Sequence, residues 1–384
     1  MNFSKIEASI LLAVLFVSNI AISQIILSPS GNNQKSFVSQ NMGLVKVSIS
    51  YSSPDVHDDK GNNRTGKIWG DVVPYGYFNM YFGLSSEENP SPWRAGTNEN
   101  TSIEFSHAVL VKGKNIKAGK YGFFIAPAQE GDWEVILSKN STSWGSYFYE
   151  PEDVAYRFSA SPKENEFTKF LTYEFTERKL ESCIVELQWE KIALPLKIEV
   201  EDVYGLYVEQ IRNELKNYAG FEYASWAQAA SFCADQKINL DEALEWANHA
   251  IEGKWVGQKN YTTYLTKARV LKAAGKDDEA KVFFEKAIFH PTAVIFDVHG
   301  LGRKYISVGE IDLAFDIFQW NAKAHPKQWP INVGLMRGYS AKGDYKSALK
   351  YCKKAQKNVD PEDDLNVKSL KKLQTLLEEG KDVN

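Results

Sequence analysis

The chain has 384 residues, of which 13% are aromatic and 24% charged, and its formal net charge is −4. That length exceeds one ordinary hydrophobic core, so two domains are expected. The mildly acidic balance excludes a general attraction to nucleic acid. Three cysteines, Cys183, Cys233 and Cys352, are too few and of the wrong parity for a disulfide framework.

Residues 1–23 read as an export signal. Lys5 supplies positive charge, 10–22 are mostly apolar, and Ala21 and Ser23 place small residues before Gln24. Cleavage is expected between Ser23 and Gln24, giving a periplasmic or secreted protein. The apolar run, interrupted by Ser18 and Asn19, is too short to span a bilayer of about 30 Å. No membrane span is expected after cleavage.

Residues 24–200 are expected to form one domain, in which the apolar residues recur with period two from Ser36 to about Val200, as strands with one dry face require. Strands are predicted over 45–51, 104–112, 121–127, 133–138, 154–159, 170–175, 183–189 and 192–200. Turn residues such as Lys112-Gly113-Lys114-Asn115 and Gln129-Glu130-Gly131-Asp132 separate several of them. Pro195 implies an edge or a bulge in the last strand. Many short strands without intervening helices predict an all-β antiparallel sandwich.

Residues 201–384 change to a helical period. Ala280, Ala314 and Ala348 stand 34 residues apart, as do Gly275, Gly309 and Gly343, and Phe284, Phe318 and Cys352. A fixed period of this length predicts paired helices stacked into an all-α solenoid. Three repeats match over 261–361, a looser one precedes them, and 368–379 read as a charged capping helix.

The small-large pattern Ala268, Ala280, Phe284, repeated at the same register, resembles the tetratricopeptide repeat. The resemblance implies a concave groove lined by fixed positions of each first helix. Carried onto this chain, these are Leu265, His299 and Val333 at one position, and Arg269, Arg303 and Arg337 at another. Three arginines at one interval would form a ladder, and guanidinium forks bind carboxylates in a bidentate manner. An acidic peptide or a chain terminus is the expected ligand. The alternative is that each arginine pairs with a nearby acid, with Glu310, Asp312 and Asp316 close in sequence.

In the β region the densest polar cluster is 93–101. Arg94, Asn98 and Glu99 there could floor a pocket, with Trp93 and Trp144 as stacking walls and 67–71 adding to them. Such a site suits a sugar or peptide fragment. The alternative is an Arg94–Glu99 pair that staples a loop over a Trp-rich core. The pieces Lys67-Ile68-Trp69-Gly70-Asp71, Trp93-Arg94-Ala95-Gly96, Ala118-Gly119-Lys120-Tyr121, Trp144-Gly145 and Leu187-Gln188-Trp189-Glu190 resemble the bacterial domain of unknown function 2911 (DUF2911) over about 27–200. That family is found mainly in exported Bacteroidetes-type proteins, and it implies a domain boundary but no activity.

The six histidines lack metal-ligand spacing, and no Gly-x-Ser-x-Gly elbow, phosphate-binding glycine loop or paired-cysteine motif occurs. Glu99 with Asp71 or Glu104 would be the carboxylates of a glycosidase. The expectation is a non-enzymatic binding or scaffold protein without cofactor or metal, its repeats holding a protein or peptide. A carbohydrate-binding or glycan-hydrolysing sandwich is the alternative.

Overall fold

A computed structural model of the chain describes residues 33–326 and 328–384. The export signal expected over 1–23 lies outside the described residues. The chain divides into two compact units, with the boundary after Val203.

The N-terminal unit is built from antiparallel strands. One sheet contains β1 (Gln34–Met42), β2 (Val45–Ser53), β3 (Ser102–Phe105), β6 (Gly119–Ala126), β7 (Trp133–Ser138) and β8 (Val154–Ala160), neighbouring in that order. The second contains β5 (Lys114–Ile116), β4 (Val109–Val111), β10 (Ser182–Glu199) and β9 (Lys163–Thr176). Tyr51 of β2 and Phe123 of β6 meet Tyr173 of β9 at ring-centroid distances of 4.8 and 6.1 Å, which joins the sheets through an aromatic core.

The strands differ from the predicted ones in several places: β1 and β5 are not among those predicted, β9 begins at Lys163 and not at 170, and two further boundaries move. The run 104–112 is divided between β3 and β4, which belong to different sheets, with Ser106 and His107 at the corner. The alternation continues through the corner, so it conceals the change of sheet. Conversely, 183–189 and 192–200 form the single strand β10. Its register shifts around Glu190, whose φ of 56° breaks the pleat without ending the strand. Pro195 falls between the residues that pair with β9 (184–193) and those that pair with β4 (198–199), where no ladder donor is needed.

Among the described residues the second unit holds ten α-helices: α1 (Val203–Glu214), α2 (Tyr223–Gln236), α3 (Leu240–Glu252), α4 (Tyr261–Ala273), α5 (Asp277–Ile288), α6 (Ile295–Ser307), α7 (Ile311–Ala324), α8 (Pro330–Ala341), α9 (Tyr345–Asn358) and α10 (Asp364–Glu378). None is long and apolar enough to cross a membrane. Successive helices pack as pairs, and each pair stacks on the next to form the solenoid. The repeat positions occupy the core, with Ala280, Phe284, Ala314, Phe318, Ala348 and Cys352 all buried. Gly275, Gly309 and Gly343 have φ of 74°, 81° and 77°, the left-handed conformation that closes each first helix. The charged helix α10 ends the array, capped by the Asp363 carboxylate, which accepts from Asn366 N at 3.1 Å.

Candidate functional sites

In the N-terminal unit the loops at one end of the sheets enclose a cavity of about 630 Å³. Its floor is a cluster of indoles. Trp93 and Trp189 lie nearly parallel, 6.3 Å apart, and Trp69 packs edge-on against both, at 5.6 and 6.0 Å. Trp93 is held by donating its indole N–H to the Gly96 carbonyl at 3.0 Å. The loop that follows is tied down by Thr101 and Tyr173, whose hydroxyls both donate to the Ala95 carbonyl.

Of the predicted pocket residues, the structure brings Trp93, Arg94, Asn98 and Trp144 to this cavity. Trp144 is 51% exposed at the rim. Arg94 is spent within the wall. It donates to the Asn98 carbonyl at 2.7 Å, its guanidinium lies 5.2 Å from the Tyr147 ring centre, and Gly145 closes over it. A Cβ at Gly145 would stand 2.4 Å from Arg94 Nη1, and φ there is +59°, so both the backbone and the anchored guanidinium favour glycine. Glu99 is not in the wall. It accepts from Ser52 Oγ at 2.9 Å and Lys35 Nζ at 3.4 Å. Burial would raise its pKa, but its own backbone N–H, Ser52 and Lys35 outweigh that and lower it. An Arg94–Glu99 staple is therefore not what holds the loop. Segment 67–71 contributes Trp69 beneath the floor, while Val72, Val73 and Pro74 line the cavity itself.

The remaining charges on the cavity wall are also mostly engaged. Arg64 donates to the carbonyls of Asp55, Val56 and His57. Asp55 accepts from His57 and Lys169, and these bonds outweigh burial and hold its pKa below the ordinary value. Asp58 is occupied by the backbone of Lys60 and by Asn62. Among the described residues lining this cavity, two buried groups lack partners, the indole N–H of Trp189 and the hydroxyl of Ser146, as does the indole N–H of Trp69 beneath the floor. The period-two pattern of the predicted strand 183–189 puts Trp189 in phase with Leu187, which agrees with its buried ring but says nothing of its N–H. Among the described residues no cluster of three or more His, Cys, Asp or Glu side chains could hold a metal.

The three arginines of the solenoid meet three different fates. Arg269 of α4 forms an ion pair with Asp235 of α2. Arg303 of α6 is exposed and has no hydrogen-bonding or ionic partner among the described residues. Arg337 of α8 donates to the Val383 carbonyl at 2.6 Å. The nearby acids pair elsewhere, Glu310 with Lys272, Asp312 with Lys342 and Asp316 with Lys281. The tail after α10 returns to α8. Ser340 Oγ donates to Asp382 Oδ1 at 2.6 Å, Val383 N donates to Ser340 Oγ at 3.1 Å, and the Val383 side chain joins the core of Met336 and Leu377. Sequence periodicity has no means of revealing this contact, because the tail belongs to no repeat.

His299, Val333 and Arg337 line one pocket of about 220 Å³, walled by Phe296, Trp329 and Leu373. Burial, then Arg337 and Arg303, push the His299 pKa down to about 4, so the imidazole is neutral at pH 7. The same burial and Arg303 lower the Arg337 pKa. Leu265, the remaining predicted position, is half-buried against the neighbouring core.

No curated protein matches this chain. Solved structures similar to the helical part include "Crystal structure of YrrB: a TPR protein with an unusual peptide-binding site". It is 15% identical over 45% of this chain and 86% of its own, with a TM-score of 0.26. A MamA structure is 19% identical over 39% of this chain and 85% of its own, with a TM-score of 0.27. A putative kinesin light chain from Podosopora anserina with nearly identical TPR-like repeats is 17% identical over 41% and 90%, with a TM-score of 0.25. The paired helices and their register define the repeat independently of these scores. Residues 33–198, from the first described residue through nearly all of β10, match the family described as "Protein of unknown function (DUF2911)".

Proposed function

We propose that this chain is an exported, non-catalytic binding protein whose helical repeats hold an acidic segment of a protein or peptide. Arg303 carries the reading: it shares the register of Arg269 and Arg337, yet its guanidinium is exposed and unpaired among the described residues. Beside it in the repeat array the open pocket of Phe296, Val333 and Trp329 offers an apolar seat for a partner side chain. A guanidinium fork and an apolar seat together select an anionic group flanked by an apolar one. The test is binding of a fluorescein-labelled Glu/Asp-rich peptide containing one Leu. Arg303→Gln should weaken it about tenfold, as the loss of one charge-assisted bond implies. The wild-type affinity should also fall as salt rises. Equal binding by wild type and variant would refute the reading.

The cavity of the N-terminal unit supports a second reading, a carbohydrate-binding domain. Its volume falls within the roughly 300–1,000 Å³ of ligand pockets, and its walls mix indoles with convergent polar groups. The glycan-hydrolysing form has less support, since the Glu99 carboxylate is engaged by Ser52 and Lys35 outside the cavity wall.

A further inference from the structure

We infer that the cavity of the N-terminal unit takes an uncharged, polyhydroxylated ligand, with Trp144 stacking on it and Trp189, Ser146 and Asn98 bonding its hydroxyls. The inference rests on the reading of this cavity as a ligand site and names the ligand's chemistry.

It follows from what the wall leaves unused. Arg64 donates through Nε and Nη2 to three backbone carbonyls and Arg94 through Nη1 to one, so both guanidiniums are partly engaged by the protein itself. The carboxylates of Asp55, Asp58 and Asp59 line the same cavity as the guanidiniums of Arg64 and Arg94, so the wall offers an anion no net positive charge. What remains is hydrogen-bonding capacity without net positive charge. The Trp189 N–H, on a residue 1% exposed, can only donate and so requires an acceptor. The Ser146 hydroxyl, equally buried, can donate or accept. The Asn98 amide and Thr97 hydroxyl make no side-chain hydrogen bond among the described residues, and the exposed Asp59 carboxylate is an acceptor for a donated O–H. Leaving two buried polar groups unmet costs stability, and a ligand hydroxyl, both donor and acceptor, meets either. The half-exposed Trp144 face supplies the flat apolar surface on which the C–H face of a sugar ring packs.

The test is calorimetric titration of the full chain with glucose, glucuronate and glucosamine, and with maltotriose, chitotriose and trigalacturonate. The neutral sugars should bind at least tenfold tighter than their anionic and cationic counterparts. Trp144→Ala should weaken binding about tenfold, and Ser146→Ala several-fold with no loss of thermal stability. Trp255→Ala, an exposed tryptophan of the other unit, should change nothing. A preference for the trisaccharides over glucose would assign the cavity to the end of a glycan chain, and equal affinity to a free sugar; both support the inference. Tighter binding of a charged sugar would overturn the ligand class while leaving the cavity as a ligand site. Absence of binding by all six would overturn both. If Ser146→Ala raises stability and leaves affinity unchanged, the hydroxyl is a buried leftover and its assigned role fails.

Discussion

Arg94 and Arg303 show how differently the two units place the same side chain. Arg94 is fixed from three sides, by the Asn98 carbonyl, the Tyr147 ring and Gly145, and it shapes a wall. Arg303 stands on a regular helix with its guanidinium exposed. Irregular loops in the N-terminal unit must satisfy their own polar groups locally, since no ladder does it for them. The helices of the solenoid satisfy their backbone internally, so a surface charge stays available to something else. Within the solenoid the contrast recurs, because a helical register repeats where a residue sits but not what surrounds its charge.

The comparison is most strongly tested through the cores. Phe284→Ala removes a fully buried ring from the repeat stack and should cost about 3–5 kcal/mol, read by urea unfolding followed by helical circular dichroism. A loss below about 1 kcal/mol would mean that the register does not define the packing. Next, Gly145→Ala should cost about 1–3 kcal/mol through its left-handed backbone and the clash with Arg94. The same substitution at Gly275, where nothing stands within 4 Å of the added methyl, should cost only about 1 kcal/mol. Equal losses at the two glycines would show that Arg94 moves freely.

Acidification should weaken the helical unit selectively. The folded His299 pKa of about 4 lies below the ordinary value of 6.5, so the unfolded chain binds the extra proton first. The stability contributed by neutral His299 is therefore complete above about pH 6.5 and is lost as pH falls toward 4. His299→Gln should flatten that part of the pH profile. Smallest of all are the rungs. Arg269→Gln breaks a partly exposed ion pair and should cost less than about 1 kcal/mol, while Arg303→Gln should change thermal stability by less than about 0.5 kcal/mol. Were Arg303→Gln to destabilise the fold appreciably, the residue would be structural and its availability to a partner would be lost.

What was legible in the sequence followed from repetition. Ala280, Ala314 and Ala348 share one environment because each meets the same neighbours one repeat along, and all three are buried. β8 was legible for a similar reason, keeping one alternation of buried and exposed residues, while β7 was legible as a short apolar run. The cavity was less so. Trp93, Arg94, Asn98 and Trp144 were identifiable as a polar-aromatic cluster, but Asp55, Asp58, Ser146 and Trp189 come from loops and a strand with no common spacing. Whether an arginine is free was not legible at all. Asp235 lies on a helix before the regular repeats, and Val383 on a tail outside them.

That tail has a practical consequence for labelling. Asn384 is not a loose end, since its amide donates to the Arg337 carbonyl at 3.1 Å and to Asp382 at 2.7 Å. An affinity tag or fluorophore joined after it would pull on the Val383 carbonyl that accepts from Arg337. Binding curves measured with such a fusion would mix occupancy of the groove with release of the tail. A label on Trp255 replaced by cysteine, at a position 92% exposed in a loop between helices, would report on the solenoid without that interference.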